Sequence, residues 1–152
     1  MSVDVLGFVV IVVVGFTAAA EFGSYAFVHP VIRRLPPEYH VRVEQGLLRT
    51  FGIVMPPLMT GSLVLAITNA ARGGTEGGPL WLRVAAAVAW GLGIVSTVLV
   101  NVPINLATLR WDPDAPPETW QRTRSRWEWF QGFRSWMYLV SFVLVVWAAT
   151  SA

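Results

Sequence analysis

Four apolar runs, nearly free of Asp, Glu, Lys and Arg, divide the chain. They cover Val5–Val28 with one charge at Glu21, Thr50–Ala71 with Pro56 and Pro57 inside it, Val84–Leu109 with Pro103 near its end, and Ser135–Ala152. About 20 such residues cross a bilayer core, and each run is apolar all round, without the polar stripe of a soluble helix. The pattern predicts an all-α fold, a four-transmembrane-helix bundle. Its helices run at about 3–28, 44–71, 81–109 and 117–151, in a single integral membrane domain over residues 1–152. The last helix is preceded by a cytoplasmic extension that also reads as helical from Pro117, with proline and Glu118 suited to a first turn. It either lies at the interface or prolongs helix four. The glycine-rich stretch Arg72–Pro79 reads as a short outer loop.

Composition agrees with a membrane class: 55% of residues are apolar and 13% charged. The acidic start at Asp4 is the wrong flank for a cleaved leader, so the first run is expected to stay as a helix. Arginines cluster in two connections, with Arg33, Arg34, Arg42 and Arg49 in the first and Arg110, Arg122, Arg124, Arg126 and Arg134 in the third. The second has only Arg72 and Arg83. By the positive-inside bias the rich connections are cytoplasmic and both termini lie outside, in what reads as a bacterial plasma membrane. Tryptophans follow suit, Trp81 and Trp147 outside and Trp111, Trp120, Trp127, Trp129 and Trp136 inside. The net charge of +2 thus describes a membrane-facing surface and calls for no nucleic acid. With neither cysteine nor lysine, disulfides, thiolate ligands and Schiff-base chemistry are excluded.

Polar side chains converge at one depth near the cytoplasmic ends of these helices. Glu21, Tyr25 and His29 follow at steps of four. Gln45 and Arg49 do so on helix two, Asn101 and Asn105 on helix three beside Pro103, and Gln131 and Arg134 stand three apart on helix four. Polar groups at membrane depth face a bundle interior or cavity. Bland readings stand beside the functional one: Glu21 as an ion-pair partner of Arg49 or Arg134, the asparagines as interhelical hydrogen-bond glue, His29 before Pro30 as a cap. Arg33, Arg34, Arg122 and Arg124 read as topology determinants, and the Pro56-Pro57 pair as a packing kink. His40 falls in a solvated connection, leaving too few ligands for a metal or haem site, although Glu21 with His29 can bind an ion.

The order FVHP, EQGLLRTFGIVMPP, NVPINLATL, RSRWEWFQGFRS resembles the anthrone oxygenase-like family of small four-helix membrane proteins over nearly the whole chain. Its most specific parts are Asn101-x-Pro103-x-Asn105 and the run Arg126, Trp127, Gln131, Arg134, where relatives often carry Asn or His at the position of Gln131. Gln45 and Arg49 match a Gln-x-x-x-Arg pattern. The resemblance implies oxidation of an anthrone to an anthraquinone in aromatic polyketide pathways, with molecular oxygen as co-substrate and no cofactor. Such chemistry needs a base, an oxyanion site and a flat apolar slot. His29 or Glu21 can take the proton. Asn101, Asn105, Gln131 and Arg49 or Arg134 can hold the anion, and Tyr25, Trp127 and Phe130 can stack on a planar ring. The same parts serve a non-oxidative cyclase or isomerase, and a non-catalytic small-molecule-binding membrane subunit needs no base at all. A transporter would need oligomers, since no broken inverted repeat is present. The expected partners are a lipophilic small molecule, membrane lipid and a second copy of the chain through Ala19 and Gly23.

Overall fold

The computed structural model describes residues 4–72 and 78–151, so most of the glycine-rich outer stretch lies outside the described residues. Four helices fill the rest: α1 (Val5–Ile32), α2 (Pro37–Ala70), α3 (Leu80–Thr108) and α4 (Trp120–Thr150), each long and apolar enough to cross a membrane. No strand occurs among the described residues. The chain is a four-helix bundle in which each helix packs on its sequence neighbours and α4 closes back on α1.

Both ends of the chain lie at one end of the bundle. Trp81 meets Trp147 edge to face at 5.8 Å, and Asp4 both caps the Gly7 amide at 2.9 Å and pairs with Arg72 at 2.8 Å. The core between the ends is built from Val10, Val14, Ala18, Met55, Met59, Ala86, Trp90, Tyr138 and Val145. Trp90 stacks on Tyr138 at 4.0 Å and donates its indole N–H to the Met59 carbonyl at 2.9 Å. Gly93 leaves room for the Tyr138 ring. Thr17, Ser62 and Ser141 hydrogen-bond between or along helices, as hydroxyls do where water is absent.

Two helices begin away from their sequence-predicted starts. α2 starts at Pro37, seven residues before the expected start at 44, because Pro37 and Glu38 suit a first turn that precedes the hydrophobic run. His40 therefore sits inside a helix and is 4% exposed, not solvated. α4 starts at Trp120 and runs unbroken to Thr150, so the basic extension is the first part of helix four.

Prolines shape three helices differently. A proline ring clashes with the carbonyl four residues back and lacks an N–H to offer it. In α1 and α3 the turn before proline widens into a π-helix, Ser24–Val28 ahead of Pro30 and Thr97–Asn101 ahead of Pro103. There His29 N–H donates to Ser24 O and Val102 N–H to Thr97 O. In α2, Pro56 and Pro57 are carried without such a turn, and the carbonyls of Gly52 and Ile53 lose their helical donors.

Candidate active site in the bundle

At the end of the bundle opposite the termini, a cavity of about 340 Å³ lies among all four helices, a size suited to a small organic molecule. The π turns decide which side chains reach it. In a regular helix, residues eight apart diverge by about 80°, and absorbing one extra residue in a widened turn brings them back to within about 20°. Glu21 and His29 on α1 and Thr97 and Asn105 on α3 are such pairs, and all four line the cavity. On α2 the lining recurs at plain helical spacing through Glu44, Leu48, Phe51, Met55 and Met59. α4 contributes Trp127, Gln131 and Arg134.

One wall is an ion pair held between α1 and α4. Arg134 Nη2 stands 2.8 Å from Glu21 Oε2, which also accepts from Gln131 Nε2 at 3.0 Å. Arg134 Nη1 donates to Thr97 Oγ1 at 3.0 Å and Nη2 to Gln131 Oε1. Ser135 donates to the Glu21 carbonyl. All these groups are buried, so the charges are neutralised and hydrogen-bonded as burial requires.

The second polar group centres on Glu44. Its Oε1 lies 2.7 Å from Arg124 Nη2, 3.4 Å from His29 Nδ1 and 3.8 Å from His40 Nε2. The Arg124 guanidinium stacks over Trp127 at 4.2 Å, and the His29 ring leans on the same indole at 4.8 Å. Trp127 is fixed further by its N–H to Asn105 Oδ1 at 2.6 Å and by Asn101 Nδ2 donating to its carbonyl at 3.1 Å. Nearer the end, Glu128 pairs with Arg33. With Nδ1 turned to Glu44, His29 has Nε2 for the cavity. With Oδ1 taken by the indole, Asn105 has its amide N–H groups for it.

Among the sequence-predicted residues, the structure brings together Glu21, His29, Asn105, Trp127, Gln131 and Arg134 around this cavity. Five others lie elsewhere. Tyr25 lies within the widened turn and packs on Phe22 and Gly132. Asn101, four residues from both Thr97 and Asn105, is fully buried behind Trp127. Gln45 clamps the α3–α4 connection by donating to the Thr108 and Trp111 carbonyls at 3.0 and 2.9 Å. Phe130 packs on Trp129. Arg49 is exposed, and the Glu21 partner is Arg134.

Arg124 is not a surface topology charge: it is 2% exposed and ion-paired. Glu44 lies in a charged stretch outside the apolar run, and its sequence signals are the four-residue step from His40 and its place at the head of EQGLLRTFGIVMPP. Among the described residues, no group of three or more His, Asp or Glu is arranged to hold a metal ion. Arg124 already occupies the carboxylate oxygen on which both histidines converge.

These features define a class: a four-helix integral membrane protein with a cavity at one end that buried polar and charged side chains wall on one side. Residues 47–144 match the model of the anthrone oxygenase family, and the chain belongs to that family. The match takes in Thr97, Asn105, Trp127, Gln131 and Arg134, while Glu21, His29 and Glu44 precede it. No curated protein and no solved structure matches the chain.

Proposed function

We propose that the chain is a cofactor-independent oxygenase acting on a lipophilic aromatic or polyketide-type substrate with an acidic C–H next to a carbonyl. The observation that carries this reading is His29, set in the cavity wall with Nδ1 facing Glu44 at 3.4 Å. That carboxylate orients the ring and stabilises the imidazolium, so Nε2 acts as the base. Glu21, tied to Arg134 and Gln131, serves to position the arginine. The Asn105 amide and Arg134 hold the enolate oxygen that develops as the proton leaves. The indole of Trp127 supplies a flat apolar wall.

The resulting carbanion passes one electron to dioxygen, and the carbon radical and superoxide recombine to a peroxide. Proton return from His29 and loss of water across the C–O–O bond then leave a new carbonyl. The sum is substrate CH2 plus O2 giving C=O plus H2O, which balances without another oxidant. The cavity end of the bundle, with its arginine-rich connections, is assigned to the cytoplasm by the positive-inside bias.

Oxygen uptake by the protein in lipid nanodiscs, offered a panel of anthrones with and without a chelator, tests the reading. Uptake is expected to survive chelation and to fall by about 10²-fold or more in His29→Gln. Asn105→Ala should lose about 10-fold or more while folded yield holds. Uptake abolished by chelation, or untouched in both variants, refutes it.

A further inference from the structure

The cavity is walled unevenly. Its α1 and α4 side is polar and closed, since Glu21, His29, Trp127, Gln131 and Arg134 are all buried. Its α2 and α3 side carries Glu44, Thr97 and Asn105 at its depth but is apolar and open towards the outside: Phe51, Gly52 and Pro56 on α2, and Val102 and Leu106 on α3, line the cavity and are exposed at once. Leu106 is 53% exposed and Phe51 40%. These residues lie within membrane-spanning helices, where the medium outside is hydrocarbon. α2 packs on α3 along Leu80–Ser96 but only sparsely beyond it, so the two helices part where the cavity begins. Gly52 has no side chain, and a Cβ placed on it meets nothing within 4 Å.

We infer that the cavity is loaded sideways from the bilayer through a window between α2 and α3, framed by Phe51, Gly52 and Leu106. Its ligands are membrane-dissolved ring compounds with one hydrogen-bonding edge. That edge turns inward to the buried polar wall, and the apolar remainder lies in the window against Phe51, Leu106 and lipid. Selection therefore falls on the polar edge, and substituents on the opposite side are tolerated because they project into hydrocarbon. The inference rests on the small-molecule reading of this cavity proposed above, and adds the route and the orientation.

Two experiments on the full chain in nanodiscs test it. The chain has no cysteine, so a nitroxide on Leu106→Cys reports one site. Its collisions should be dominated by oxygen, which concentrates in hydrocarbon, and those of a label on Thr119→Cys, exposed in the connection before α4, by a water-soluble nickel chelate. Nickel-dominated collisions at residue 106 overturn the window.

The second uses 1,8-dihydroxyanthraquinone as a binding probe. Gly52→Trp, which puts an indole at the window from a position where a Cβ meets nothing within 4 Å, should weaken binding by about tenfold or more. Gly46→Trp, on the same helix, exposed and outside the cavity lining, should change it by less than about twofold. Equal binding in both variants, or none by the unaltered chain, overturns the proposal. If Gly52→Trp keeps full oxygen uptake, the window falls and the oxygenase reading stands. If no anthrone drives uptake while both experiments hold, the oxygenase reading falls and the window stands.

Discussion

Glu44 shows how much one buried carboxylate organises. It faces Arg124 and two histidines within 4 Å, and its charge is tolerated at 1% exposure because Arg124 neutralises it. Removing one partner of such a pair strands the other, which costs about 3–5 kcal/mol. Arg124→Leu should accordingly lower thermal stability by that order, whereas Arg124→Leu with Glu44→Gln should recover most of the loss. A double-mutant cycle in detergent measures the coupling, and additive single effects would show that the pair is not coupled. Turnover should stay low in the double variant, because His29 loses the carboxylate that orients it. Asp4 offers a simpler case at the opposite end. The Gly7 amide, and then Arg72, hold its carboxyl below the ordinary value. A lowered folded pKa stabilises above the unfolded pKa and is lost as pH falls through the folded one. Asp4→Asn should thus lower the melting temperature at neutral pH, with the difference vanishing below the usual carboxylate range.

Elements decide which residues meet. Steps of four group Glu21 with Tyr25 and His29, and Asn101 with Asn105, and this much is legible in the sequence. Folded α1 and α3 instead present residues eight apart, because Pro30 and Pro103 each widen the turn before them and rotate the rest of the helix. Thr97 was invisible for this reason: a lone threonine in an apolar run carries no signal until the register around it is known. Pro103→Ala supplies an N–H to the Leu99 carbonyl and removes the ring clash. The turn should relax to α-helix, leaving melting temperature unchanged or raised while turnover drops as Asn105 swings from Thr97. Unchanged turnover would mean that the proline does not set the register.

The whole molecule adds orientation and enclosure. The described ends of α1 and α4, near Asp4 and Trp147, share one end of the bundle and the cavity occupies the other. The proposed orientation, arginine-rich end inwards, predicts that a membrane-impermeant maleimide on intact bacterial cells labels Ser151→Cys and spares Thr119→Cys until the membrane is opened. Labelling of residue 119 in intact cells would invert the assigned topology.

Sequence alone determined the class. Apolar run length is set by bilayer thickness, so the four helices and their alternating course come from counting. The convergence of polar residues at one end is fixed by their positions along those runs. Family resemblance was readable from motifs on all four helices, and the family match itself covers residues 47–144. Only the tertiary structure decided that Arg134, and not Arg49, neutralises Glu21, that Glu44 and Arg124 lie inside the bundle, and that Asn101 stands behind Trp127 and not beside the cavity. Asn101 was hidden because burial in a bundle apolar all round depends on helix rotation, which a π turn resets and no hydrophobic period records. Glu44, Arg124 and Arg134 were hidden because they lie on α2 and α4 before the apolar runs begin, where a charge reads as surface until the helices are packed.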